Sequence, residues 1–472
     1  MTARLVAGVD SSTQSTKVEV RNLDTGEVVA RGTAPHPATT PPRSEQDPHE
    51  WWSAFETAWA AAGSPTVEAI SVAGQQHGMV VLDADREVIR PAKLWNDTES
   101  APDAGWLLKQ LPGGASDWAT AVGSVPVAAF TVTKLSWLHR SEAEHWAKLA
   151  HVVLPHDWMT MRLTGELVTD RGDASGTGYW SPSSGEYRWD ILSIIDKDRD
   201  WSTVVPRVAG ATEVVGEWNG VKVACGTGDN MAAALGLGLQ PGIAVLSLGT
   251  SGTAYALSDR STHDATGAVA GFADATGCFL PLACTLNATK VTDVIARLLG
   301  VDHAEFDRLA LAAPSGAGGL TLLPYFDGER TPNLPKATGL MAGLRSDVSR
   351  EQVARAAAEG VVCGLLDALD ALGDTTPLSA VRLVGGGARS AAYRRVVAEL
   401  CDLPVSLADA DEAVATGACV QAAAIALDVA HSAVAERWSL GVGTALGEPV
   451  GDTAGVRARY AELRSATRPS TA

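Results

Sequence analysis

Apolar runs broken by small polar turns recur along the chain and fall into two groups. Leu5–Val9, Lys17–Asn22 and Glu27–Arg31 predict three short strands joined by tight turns, with Thr25-Gly26 at one of them. Ile243–Leu248 and Thr253–Leu257 predict a second pair of the same kind. Laid over one another, the openings set Asp10 against Ser247, Ser12 against Gly249 and Thr13 against Thr250. Both read as strand, small-residue turn, strand, which predicts a short internal repeat. Later periodicity predicts a long helix over Ser349–Leu372, a strand over Ala380–Val384, a helix over Ser390–Leu400 and a strand over Pro404–Leu407. Helices alternate with strands in both halves, so the fold class is α/β. Duplicated halves of that kind favour a small-molecule site in a cleft between them.

Composition sharpens this division. At 472 residues the chain exceeds one core of usual size. Thirteen of the 14 tryptophans lie between Trp51 and Trp218, whereas the remainder is rich in Ala and Gly. The change falls near Cys225 to Pro241, and domains of 1–226 and 227–472 are expected. A hydrophobic share of 46% gives ample material for burial and sets disorder aside.

Charge and cysteines narrow the chemistry. Against 55 acidic residues stand 37 Lys and Arg, a net charge of −18, which disfavours nucleic acid or anionic membrane as partner. An anion would then need backbone amides and a metal ion to hold it. The six cysteines are scattered without CxxC spacing, as expected of reduced core residues in a reducing compartment. The opening MTARLVAGVD reaches a carboxylate too early for a signal-peptide core, and no later apolar run is long enough for a membrane span. A cytoplasmic location is expected.

Two familiar nucleotide motifs are absent: GxxxxGK followed by Ser or Thr, and GxGxxG. Other turns could cradle phosphate. The first candidates are the paired openings at Asp10–Thr13 and Leu248–Gly252; another is LVGGGARS at Leu383–Ser390, where glycines come between a strand and a helix whose N-terminus favours an anion. A plain tight turn explains either motif alone equally well, but both in one chain favour nucleotide binding. In GTGDNMAAALGLG, Asp229 and Asn230 stand on a glycine turn before a small-residue helix; Asp229 could cap that helix or serve as a base. AGQQHGMVVLD places Gln75, Gln76 and His77 between glycines, and LWND adds Trp95; neutral amide, imidazole and aromatic groups suit an uncharged, hydroxyl-rich ligand, or simple packing.

Taken together in chain order, these stretches resemble the FGGY-type carbohydrate kinases. The likeness runs through SEQDP (Ser44–Pro48), GQQHG (Gly74–Gly78), LWND, FTVTKLSW (Phe130–Trp137), LPHDW (Leu154–Trp158), TDRGDASGT (Thr169–Thr177), GDN (Gly228–Asn230), LSLGTSG (Leu246–Gly252), GERTP (Gly328–Pro332) and GGGARS. It implies two actin-like (ribonuclease H-like) ATPase domains, the first binding mainly sugar and the second mainly ATP, in a protein that forms a dimer. By that resemblance Asp229 is the general base, Gln76, His77, Trp95 and Asn230 bind sugar, and Asp10 positions magnesium. Thr13, Lys17, Gly249, Thr250, Gly386 and Gly387 match the ATP contacts. Within the family the likeness is greatest to members that phosphorylate the ketopentose D-xylulose at its 5-position.

Three departures bear on this reading. Ser12 stands where relatives usually have Gly, offering a hydroxyl but a less close backbone approach to phosphate. Gln76 replaces the commoner Met, and Ala391 lacks an amide side chain some relatives use near the nucleotide. Rival readings are a kinase for ribulose or another polyol, and an actin-like sugar or ATP sensor without phosphoryl transfer; a base at Asp229 speaks against the sensor.

Overall fold

The computed structural model describes residues 3–409, 411–447, 452 and 454–466. They group into two units, one of 1–239, 259–280 and 410–441 and the other of 240–258, 281–409 and 442–472. This differs from a single division after residue 226. The chain leaves the first unit only after the helix Asp229–Gly236, and a late helix, Ala413–Leu427, belongs to the first unit as well.

The sheet of the first unit runs Val214–Trp218, Val221–Ala224, Ala69–Gly74, Leu5–Ser11, Ser15–Asn22, Val28–Pro35, with Thr227–Gly228 also paired to Ala69–Gly74. Leu5–Ser11 pairs antiparallel with Ser15–Asn22 and parallel with Ala69–Gly74. In the second unit, Ile243–Leu248 pairs antiparallel with Gly252–Ala256 and parallel with Ala380–Val384, which is followed by Val405–Ala408. The openings set against one another in the sequence thus head two hairpins of the same topology, each with a parallel strand on its free side.

Ends differ from the sequence expectation by a residue or a few, for local reasons. Ser349 and Ser390 precede their helices, Arg350–Gly373 and Ala391–Leu400, as N-caps whose hydroxyls accept the amides of Gln352 and Tyr393. The third strand, expected over Glu27–Arg31, runs Val28–Pro35 because its pairing with Ser15–Asn22 continues to Pro35.

The two central strands of the first sheet are covered on both faces, so alternate residues serve different cores. Ala7, Val9, Ile70 and Val72 pack with Trp51, Phe55 and Ala58 of the helix Pro48–Ala61. Val6 and Ala69 face Cys419, Val420 and Ala423 of the helix Ala413–Leu427. That second contact needs small residues. A Cβ on Gly8 would lie 2.2 Å from the Ala415 carbonyl oxygen, one on Gly236 1.9 Å from that of Ala413, and one on Gly417 1.8 Å from that of Ala232. Backbone therefore packs on backbone, where no side chain can give way. Among the described residues no single helix is long and apolar enough to cross a membrane.

Gly417→Ala should lower stability by about 1–3 kcal/mol, the usual range for overpacking. Thermal unfolding followed by circular dichroism checks it; an unchanged melting temperature would show that the two helices can separate without loss.

Candidate functional site

Asp10 is the last residue but one of strand Leu5–Ser11, and the turn follows it. Its carboxylate is buried and accepts the Ser12 hydroxyl, while the Ser12 amide donates to the Ser15 carbonyl at 3.1 Å. Both polar groups of Ser12 are therefore engaged inside the turn. Lys17, the cross-strand neighbour of Asp10, places Nζ 3.9 Å from Asp10 Oδ2 and 2.6 Å from Glu412 Oε2. One residue past Ser12, the Thr13 hydroxyl donates to Gln75 Oε1 at 3.1 Å and accepts from Trp95 Nε1 at 2.9 Å. The Trp95 ring is 40% exposed, so its face is open to a ligand.

The neighbouring strand, Ala69–Gly74, delivers Gln76 and His77. His77 has φ of 64°, a left-handed backbone that is uncommon for a non-glycine residue. Its Nδ1 lies 2.8 Å from the Gly176 carbonyl oxygen, and Thr131 Oγ1 donates to the His77 carbonyl at 3.2 Å. Phe130 and Phe272 flank the ring, with centroids 4.9 and 5.4 Å away. Gln76 is buried; its Oε1 accepts Asn230 Nδ2 at 2.8 Å, whereas its Nε2 is enclosed without a hydrogen-bond partner. A buried donor left this way costs free energy that an oxygen of a bound molecule would recover.

Asp229 is the first residue of its helix. Gly228 is the N-cap, and Asp229 at the first helical position accepts the Asn230 amide. Its Oδ1 also accepts Asn230 Nδ2 at 2.9 Å. Gln76, Asn230 and Asp229 thus form one hydrogen-bonded chain from sheet to helix.

The electrostatics of this group are adverse to ionisation. Burial pushes Asp10 up to about 6, although Ser12 and Lys17 act against it. Asp229 is pushed up to about 7 by its enclosure and by the Asp10 and Asp173 carboxylates. The Asp229 residue itself is half-buried. Two carboxylates disfavouring each other's charge, with Lys17 drawn towards Glu412, make a setting that a hard divalent cation fits. A second acidic group is already met by three cations, since Arg90 pairs with Glu45 at 2.5 Å and Arg43 with Glu99 at 3.0 Å beside a central ammonium. Glu45, Asp97 and Glu99 surround Lys93 Nζ at 2.9, 3.0 and 2.6 Å, so an ammonium occupies the centre.

Gly249, Thr250, Gly386 and Gly387 all lie in the second unit. The carbonyls of Gly249 and Thr250 accept the amides of Thr289 (2.9 Å) and Ala288 (3.2 Å), and Thr250 is exposed. Gly385 has φ of 90°, and a Cβ there would lie 2.7 Å from the Leu248 carbonyl oxygen; one on Gly387 would meet Leu248 Cβ at 2.9 Å. The two turns are therefore in contact, with Gly386 facing open space. The helix after them is not an open anion site. Asp307 accepts the Ala391 amide at 2.8 Å and the Ser390 hydroxyl at 2.6 Å, so a carboxylate of the chain itself stands at that N-terminus.

Of the residues expected from sequence, Asp10, Thr13, Lys17, Gln76, His77, Trp95, Asp229 and Asn230 belong to the first unit and Gly249, Thr250, Gly386 and Gly387 to the second. Glu412, Asp173 and Asp307 were not anticipated. Asp173 lies inside TDRGDASGT and so carried a motif signal; Glu412 and Asp307 carried none.

Comparison with known proteins identifies the family. A family model described as the FGGY family of carbohydrate kinases, N-terminal domain, matches residues 5–236, and its C-terminal counterpart matches residues 244–426. A xylulose kinase of Streptomyces coelicolor is 49% identical over 455 residues, covering 94% of this chain and 92% of its own. One from Streptomyces rubiginosus is 48% identical with the same coverage. Among solved structures, xylulose kinase from Bifidobacterium adolescentis is 40% identical, with a TM-score of 0.88 over 98% of this chain and 100% of that one.

The raised Asp229 acidity gives a prediction whose sign can be worked out. Folded, the group titrates near 7; unfolded, near its ordinary 3.8. Ionised Asp229 therefore costs stability above the unfolded value, and the cost grows until the folded one is passed. Asp229→Asn should match wild type in melting temperature near pH 4, then exceed it increasingly up to about pH 7 and level off. A pH-independent difference across a series of thermal melts would contradict the assignment.

Proposed function

Because the chain belongs to the FGGY family of carbohydrate kinases, an ATP-dependent sugar-kinase family of two actin-like domains, we propose that it phosphorylates D-xylulose at the 5-hydroxyl, producing D-xylulose 5-phosphate and ADP. The observation that carries this reading is Asp229. It is a carboxylate set at the start of a helix, hydrogen-bonded to Asn230 and held near pH 7, where a general base works best. The similar xylulose kinases named above support the choice of sugar.

Phosphoryl transfer asks a protein for positioning and charge stabilisation more than for covalent work. In this reading, Asp229 takes the proton from the attacking hydroxyl. Gln76 Nε2 donates to a sugar oxygen, the His77 turn and Trp95 face shape the pocket, and Asn230 keeps Asp229 oriented. Asp10 would hold Mg²⁺, which when bound would supply positive charge against the nucleotide's phosphates. The family resemblance assigns ATP contacts to Thr13, Lys17, Gly249, Thr250, Gly386 and Gly387. The Ser12 hydroxyl is bonded to Asp10, and Asp307 accepts the Ala391 amide at the start of the helix behind GGGARS.

Asp229→Ala should lower kcat by roughly 10²-fold or more while leaving sugar binding largely intact, the scale of a general-base effect. In wild type, kcat/KM should fall as pH drops below about 7, since the base must be ionised. An ADP-release assay over D-xylulose, ribulose, hexuloses and polyols, with and without Mg²⁺, checks substrate and metal together. Preference for a different sugar would move the chain elsewhere in the family, and ATP binding without any phosphorylated product would favour a sensor.

A further inference from the structure

Beneath the candidate sugar residues lies a buried ionic cluster for which the proposed reaction has no direct use. His156, fully enclosed at the start of the helix Pro155–Thr164, places Nδ1 2.8 Å from Asp173 Oδ2 and Nε2 3.1 Å from Asp157 Oδ1. Asp170 Oδ1 is 3.7 Å from the same Nε2. Only Nδ1 is hydrogen-bonded, to Asp173, while Nε2 faces Asp157 and Asp170 at ion-pair distance; burial opposes a charge on the ring, but Asp157, Asp173 and Asp170 push its pKa up to about 9 and so favour the imidazolium.

The cluster touches both segments that carry site residues. On one side, a Cβ on Gly74 would lie 2.9 Å from His156 backbone N, so the strand feeding Gln76 and His77 rests on His156. Asp173 is stabilised by the His77 amide, and its turn carries Gly176, whose carbonyl holds His77 Nδ1 at 2.8 Å. On the other side, a Cβ on Gly226 would meet His156 Cδ2 at 2.8 Å, and the Thr227 hydroxyl donates to Asp170 Oδ2 at 2.7 Å, two residues before Asp229. Asp170 also accepts the amides of Gly172 (2.8 Å) and Asp173 (2.9 Å), fixing the Asp173 turn.

We propose that His156, Asp170 and Asp173 are positioning residues, a single charged hub that sets the His77 turn and the start of the Asp229 helix relative to one another. The inference rests on the sugar-kinase reading of those segments. Two arms follow from the geometry. The Asp173 arm governs His77 and, through charge, Asp229; the Asp170–Thr227 arm governs the placement of Asp229 alone.

Asp173→Asn and Thr227→Val, made in the full chain, separate the arms. Asp229 faces Asp10 from the first strand, Asp173 from its turn, and the amide and side chain of Asn230 on its own helix, with Lys17 and Glu412 beyond Asp10. Removing the Asp173 charge should move the acidic limb of kcat/KM to lower pH, because that carboxylate disfavours an ionised Asp229. It should also raise KM for D-xylulose by roughly tenfold, the scale of a small misplacement. Thr227→Val should lower kcat by roughly tenfold, with KM and the acidic limb unmoved. Nitrogen NMR of the histidine rings in wild type should show one doubly protonated through pH 8 and lost in His156→Gln. Wild-type kinetics in both variants, or a neutral His156 at pH 7, would overturn the hub. Absence of sugar phosphorylation by wild type would overturn only the kinase reading, since the NMR result judges the hub without catalysis.

Discussion

Backbone-to-backbone contact at three glycines is the constraint on which the first unit depends. Gly8 on the central strand, Gly236 at the end of the Asp229 helix and Gly417 in the late helix each leave no room for even a methyl group. Through Gly8 and Gly417, the late helix is pressed against both the strand that carries Asp10 and the helix that begins at Asp229. The separation of those two carboxylates is therefore set by rigid main chain rather than by side chains that could repack. Their mutual disfavour for charge follows from that fixed spacing.

Charge placement in this unit shows two solutions to the same problem. Where carboxylates gather around Lys93, an ammonium within 3.0 Å of each offsets their burial. Around Asp10 and Asp229 the compensation is incomplete, because Lys17 lies closer to Glu412 than to Asp10. Paired buried charges are generally structural, whereas undercompensated ones raise acidities and cost stability unless a ligand supplies the missing charge. The contrast separates scaffold from candidate site in physical terms.

Much of this was legible in the sequence because it is local. Ile243–Leu248 and Ala380–Val384 are apolar runs bounded by small turn residues, and the strands have those bounds. Gln76 and His77 stand on a glycine-flanked turn, and Asp229 and Asn230 open a helix behind a glycine N-cap; such glycines announce themselves. What escaped is long-range pairing. Lys17 meets Glu412 across 395 positions, and Asp307 reaches the amide of Ala391 from 84 positions away. The helix Ala413–Leu427 is apolar all round, so no stripe in its sequence reveals which surface it covers. Its place in the first unit could not be read from period or composition.

That late helix also constrains how the polypeptide matures. During synthesis, strands Leu5–Ser11 and Ala69–Gly74 emerge from the ribosome early, but the segment that shields one of their faces follows more than three hundred residues later. Until then Val6, Ala69 and their neighbours present an unprotected apolar surface, a condition that invites chaperone engagement and misassembly. The amino-terminal portion is thus committed to waiting for nearly the whole chain before it can close.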